Sequence, residues 1–269
     1  MAEFIYERDG DRFVPTVWAG SPWSAESQQN GAPVAGLFTR SAEECAAESG
    51  LQLARITVDL FRPVPKQPLR LAKRWLRRGR RLALVESRLS LGSDEVSRST
   101  ALLLLPRPEL TTGWFEAASP PPPPPESARA IEFMPNVFSA SAPPGFHFSL
   151  QVRTARDAHG PIAWLTTPLE LVAGEPTSPQ VRFGALSDMT FAVAGRLSLQ
   201  IRPVEGAAVQ MRFINADITL YRERIPEGDW LGLRPVTLSN RAGIGIAEVE
   251  QFDQTGRIGR SLQALVANG

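Results

Sequence analysis

Six consecutive prolines, Pro120–Pro125, sit near the middle of a chain of 269 residues. Proline has no amide hydrogen to donate and a fixed φ. Such a run can therefore enter neither a helix interior nor a sheet ladder, and it forms a stiff, extended polyproline II segment. The fold has to be assembled from what lies on either side. We divide the chain into residues 1–118, a proline-rich linker at 119–130, and residues 131–269. Each flank is close to the commonest domain size. The tract reads as a spacer, with a ligand for a proline-reading module as the alternative.

The two flanks read alike. In the first, Gly31–Ser49 carries helical spacing through Val34, Leu37, Phe38 and Cys45, with Pro33 in the first turn. Strand-like runs follow at 54–62, 70–75, 82–91 and 96–105, punctuated by Gly79 and by Gly92-Ser93-Asp94. In the second, strands are predicted at 146–153 and 161–165, and a long helix within Ser178–Ile201. More strands are predicted at 209–222, 230–237, 244–252 and 257–266, with a hairpin at Gln254-Thr255-Gly256. Short matches recur in the same order: Ile56–Pro63 with Asp217–Arg222, then Ser97–Leu102 with Gly259–Ala264. A helix followed by antiparallel strands, twice over, predicts an α+β chain of two tandem units. Each would wrap a curved antiparallel sheet around a long helix, and pairing them edge to edge would satisfy the open strand edges.

Several chemistries are argued down. There are two histidines, His147 and His159, too few for a histidine-rich metal site. His147 alternates with Phe146 and Phe148 like a strand residue, and His159 lies in a turn-like Asp157–Gly160 stretch. No glycine-rich phosphate loop and no G-x-S-x-G nucleophile elbow occurs, so no cofactor is expected and a Ser–His–acid hydrolase is disfavoured. The single Cys45 excludes an internal disulfide and reads as a packed small residue. With 29 basic and 28 acidic residues, bulk charge predicts neither nucleic-acid nor membrane-surface binding. The densest basic run, Lys73, Arg74, Arg77, Arg78, Arg80 and Arg81, reads as a solvated strand end, or alternatively as a contact for ligand phosphates. No stretch reaches transmembrane length and none resembles a leader, so a cytoplasmic protein is expected. What remains is chemistry in which an acid and polar side chains position water.

Three segments point further. Ser187-Asp188-Met189-Thr190-Phe191, Asn215-Ala216-Asp217-Ile218-Thr219-Leu220 and Ser261-Leu262-Gln263 resemble, in order and spacing, segments of the acyl-CoA thioesterase II family. These carry the family's catalytic aspartate, a hydroxyl residue followed two places later by an aspartate, and the catalytic glutamine. The weaker likeness spans most of the chain. It implies a double hotdog fold, an acyl-CoA substrate in fatty acid metabolism, and further self-association. It also implies that Asp188, Asn215 and Gln263 form one water-binding group. Asn215 departs from the family pattern, which has threonine there, although an amide oxygen also binds water. Asp217 is the reserve acid, although a strand-end or salt-bridge role suits it better. In the first half Ala101 falls where Gln263 would be, so that half lacks the group. The stretch Ser27–Ala32 enters the first helix, whose terminal amides could bind an anion or a carbonyl. Two other readings stay open. One is a non-catalytic acyl-thioester binding protein, motivated by Asn215; the other is a hotdog dehydratase, which would need His147.

Overall fold

A computed structural model describes residues 3–22, 24, 26–110, 120–132, 145–201 and 213–267. The first half opens with a hairpin, β1 (Phe4–Asp9) and β2 (Arg12–Pro15), that the sequence reading missed. It continues as α1 (Gly31–Ser49), β3 (Gln52–Asp59), β4 (Leu69–Arg78), β5 (Leu82–Leu91) and β6 (Asp94–Leu104). The second half contains β7 (Arg129–Ile131), β8 (Gln151–Asp157), β9 (Gly160–Thr166), β10 (Glu170–Val172), α2 (Pro179–Leu186) and α3 (Thr190–Ile201). It ends in β11 (Phe213–Asn215), β12 (Asp217–Arg222), β13 (Leu231–Arg241), β14 (Ile244–Asp253) and β15 (Gly256–Ala267).

All described strands join one sheet, in the order β10-β1-β2-β4-β5-β6-β3-β12-β15-β14-β13-β9-β8-β7, with β11 also on β15. Every pairing is antiparallel except β1 with β10, by which a second-half strand closes the far edge of the first half. The expected edge-to-edge joint is the β3/β12 seam, where Thr219 stands opposite Thr57 and Asp217 opposite Asp59. The two strands that meet there are the two copies of the repeated segment, 162 residues apart at the threonines. Their outer neighbours obey the same offset: Thr57 faces Thr100 on β6, and Thr219 faces Leu262 on β15. The chain is the double hotdog, helices wrapped by a curved antiparallel sheet, and none of its helices is long and apolar enough to cross a membrane among the described residues.

The core lies between this sheet and the helices. Val34, Leu37, Phe38, Ala42 and Cys45 of α1 face Leu53, Ile56, Val58 and Val85. Val193, Ala194 and Leu197 of α3 face Leu233, Ala247 and Val249. Burial raises the Cys45 thiol pKa above its ordinary value, in keeping with a packed rather than a reactive residue. The proline tract is docked as well as extended: Trp164 donates from Nε1 to the Pro123 carbonyl at 2.9 Å, and Arg153 donates to that of Pro125 at 2.9 Å.

Three boundaries differ from expectation, each for a local reason. Phe146–Phe148 is a 3-10 turn and the strand begins only at Gln151, so His147 is not a strand residue; burial depresses its pKa to about 4. The helix expected across Ser178–Ile201 is broken by a 3-10 turn at Ser187–Met189. The strand expected at 209–222 is interrupted at Ala216, and its residues 209–212, like Ser119 of the linker, lie outside the described residues. Asp217 fills that interruption. It accepts from the Ala264 amide at 2.6 Å and from the Thr219 hydroxyl at 3.2 Å, which is the strand-end role expected for it.

Candidate active site

The break in the second helix is where Asp188 sits. Ser178 caps α2 through its side chain on the Val181 amide, and Pro179 occupies the first turn. After two turns the helix tightens at Ser187–Met189 before α3 resumes. A 3-10 insertion in mid-helix has poorer hydrogen-bond geometry than the α-helix it interrupts, so something must hold it. Here the sheet does so. Gln263 of β15, almost completely buried, donates from Nε2 to the Asp188 carbonyl at 3.0 Å and accepts at Oε1 from the Phe191 amide at 2.8 Å. Thr190 Oγ1 donates to the Ser187 carbonyl at 2.8 Å and lies 2.7 Å from Ser261 Oγ.

The Asp188 side chain is nine-tenths buried and meets Asn215, whose Nδ2 donates to Oδ1 at 2.9 Å. Asn215 is the last residue of β11, opposite Leu265 of β15, so the break at Ala216 sets its side chain toward the helix turn. The other wall comes from the first half of the chain. Asn30 caps α1 by accepting from the Ala32 amide at 2.9 Å, and that amide also hydrogen-bonds the Asp188 carboxylate. Gly31 touches the same carboxylate: a Cβ there would fall 2.7 Å from Oδ1 and 3.0 Å from Oδ2. Only a glycine lets the helix end approach so closely.

This environment tunes the acid. Burial raises the Asp188 pKa to about 6, and the hydrogen bonds from Asn215 and Ala32 hold it down against that pull. A carboxylate with such a pKa is ionised at neutral pH yet basic enough to take a proton. It has about four lone-pair directions, two of which are used by Asn215 and Ala32.

The three residues singled out from the sequence therefore come together, though not symmetrically. Asn215 touches the Asp188 carboxylate, whereas Gln263 grips the Asp188 backbone and has one amide N–H beyond the bond to that carbonyl. The anion met by the first helix is Asp188 itself. Gly31 and Ala32 belong to the Ser27–Ala32 stretch singled out from the sequence, but no local signal identified Asp188 as the group they meet. The basic run lies elsewhere: Lys73 pairs with Glu44 and Arg78 with Glu48, at the far end of α1 from Gly31. Gly31 and Glu44 are thirteen helical steps apart, roughly 20 Å at 1.5 Å per residue.

The chain and its fold also resemble known proteins. Residues 19–104 match the model of the acyl-CoA thioesterase N-terminal domain, and residues 115–267 that of the C-terminal domain. No curated protein sequence matches the chain. Among solved structures, a candidate thioesterase II from Thermobifida fusca superposes with a TM-score of 0.70 at 20% identity, covering 98% of this chain and 96% of that one. A conserved protein with a hot dog fold from Alicyclobacillus acidocaldarius gives 0.67 at 19%, covering 97% and 95%. The tesB protein of Mycobacterium avium subsp. paratuberculosis gives 0.67 at 16%, again covering 97% and 95%. At these identities the likeness is one of fold; membership rests on the domain models, which match in order along most of the sequence. The chain belongs to the acyl-CoA thioesterase family.

Proposed function

We propose that the protein hydrolyses acyl-CoA thioesters to the free acid and coenzyme A, with Asp188 as general base for the attacking water. As the water oxygen bonds to the thioester carbonyl carbon, its proton passes to the Asp188 carboxylate. Collapse of the tetrahedral oxyanion then breaks the C–S bond and releases the coenzyme A thiolate, which takes up a proton. Asn215 and the Ala32 amide orient the carboxylate; Gln263 fixes the turn that carries it and offers its remaining N–H to the water or the thioester oxygen. One observation carries the reading: a buried carboxylate, raised to a pKa of about 6, is held by side chain and backbone donors from both halves of the chain. The apolar layer between helices and sheet suits the acyl chain.

Thiol release from a series of acyl-CoAs tests it. Asp188→Asn keeps the shape but removes the base, and should lower kcat by about 10²–10⁴-fold. Full retained activity with several acyl-CoAs would defeat the assignment. Calorimetric binding of a non-hydrolysable acyl-CoA, with no thiol released from the true substrates, would favour a binding protein. The same variant has a second signature. A folded-state pKa raised above the ordinary carboxylate value means that the native protein binds the proton more tightly than the unfolded chain. Asp188 therefore destabilises the fold progressively as pH rises from about 4 to about 6, and fully above that. Asp188→Asn should raise Tm at pH 7.5 and lose that advantage at pH 4.

A further inference from the structure

Beside the candidate site lies a second buried polar group with no part in the chemistry above. Arg222 is the last residue of β12 and Gln251 lies on β14; both face Gly259 of β15, one from each side. Because Gly259 has no side chain, the guanidinium and the amide meet across it, with Arg222 Nη1 donating to Gln251 Oε1. Gln251, wholly buried, then donates from Nε2 to Ser187 Oγ at 2.8 Å, and Ser187 donates to the Phe183 carbonyl at 2.6 Å. Ser187 is the residue before Asp188 and begins the 3-10 turn.

The direction of this relay follows from the donor inventory. The two ends of a glutamine amide are nearly the same shape and can exchange places; guanidinium has only donors. Arg222 therefore forces Oε1 toward itself and Nε2 toward the serine, which must accept and so directs its own proton to Phe183. The arrangement is expensive. Asp253, which would neutralise Arg222, is already paired with Arg224 at 2.5 Å, and Arg222 Nη2 meets no acceptor among the described residues. A buried cation so poorly compensated lowers stability, and an apolar pair of similar volume would serve the core better. Its presence calls for a reason other than packing.

We infer that Gln251, oriented by Arg222, is a positioning residue that clamps the Ser187–Met189 turn from β14 while Gln263 clamps it from β15, so that Asp188 is held by two strands. The inference rests on the hydrolase reading for its catalytic consequence, and on geometry alone for the clamp.

The test compares wild type, Gln251→Leu and the double variant Arg222→Met/Gln251→Leu in the full chain. Gln251→Leu strands Ser187 and Arg222, so both Tm and kcat should fall. The double variant removes the buried charge together with its acceptor, so Tm should return to the wild-type value or exceed it. Its kcat should nevertheless stay at least about tenfold low with KM within about twofold, because geometry and not folding is lost. Amide hydrogen exchange at Thr190 and Phe191 should be faster by about tenfold or more in that variant. Wild-type kcat and wild-type exchange in the double variant would overturn the clamp and leave the pair as core filling. A wild-type protein that releases no thiol from any acyl-CoA would instead defeat the hydrolase reading, and exchange at the two amides would then decide the clamp alone.

Discussion

The two halves of this chain share a sheet plan and part company in one row of inward-facing residues. At the 162-residue offset, Gln251, Ser261 and Gln263 in the second half correspond to Leu89, Ser99 and Ala101 in the first. Where the sheet presents two glutamines and a serine, the helix above it is broken at Ser187–Met189, and each polar group bonds a residue of the segment from Ser187 to Phe191. Where the sheet presents leucine, serine and alanine, α1 runs unbroken for 19 residues, and Leu89 and Ala101 are packed in the core. A break in a helix persists where side chains beneath it replace the backbone bonds it gives up. Nevertheless the first half is not a bystander. It lends the end of α1, so the candidate site is formed between the units rather than inside one.

That comparison can be attacked at its contact point, and the largest effect is expected there. Gly31→Ala places a methyl within 2.7 Å of Asp188 Oδ1, which must push the helix end and the turn apart. A displacement near 1 Å costs on the order of 100-fold in rate, so kcat should fall by about that factor while far-ultraviolet circular dichroism is unchanged. Activity at the wild-type level would mean that α1 and Asp188 do not act together. Next in size is Asn215→Ala. Loss of its hydrogen bond removes a contribution that lowers the Asp188 pKa, so the acidic limb of the rate profile should move above pH 6, with rates at pH 8 reduced only several-fold. An unmoved limb would show that Asn215 does not touch the working carboxylate. The smallest catalytic effect is expected from Ala101→Gln, which copies Gln263 into the first half. Beneath an unbroken helix the amide has no turn to hold. Activity should be unaltered and stability lower by about 1–3 kcal/mol, measured by denaturant unfolding, for a buried polar group without partners. A gain in turnover would contradict the view that a broken helix is required.

Much of this is legible in the sequence. Apolar periodicity located α1 and most central strands, because burial on one face imposes a period that sequence displays directly. The repeat in Ile56–Pro63 and Asp217–Arg222 marked the strands that meet at the seam. Other features were hidden for identifiable reasons. The 3-10 turn at Ser187–Met189 lies inside a run with continuous helical spacing, and it is held by bonds from distant residues, Gln251, Ser261 and Gln263. His147 alternates with two phenylalanines as a strand residue would, yet the chain there turns toward Gly20, whose carbonyl accepts from the Phe146 amide. The pairing of β10 with β1 joins residues from opposite halves, beyond the reach of local pattern.

Sequence alone determined the first helix and most of the central strands, the duplication, and a shortlist of Asp188, Asn215 and Gln263, since each depends on local periodicity or on a short motif. Tertiary structure decided which groups meet the carboxylate, the Ala32 amide and the bare face of Gly31, and which hold the turn that carries it, among them the relay from Arg222 through Gln251 to Ser187. The reason is physical. A pKa and a break in a helix are set by desolvation and by donors a few ångströms away in space, and the residues supplying them here stand up to 157 positions away in the chain.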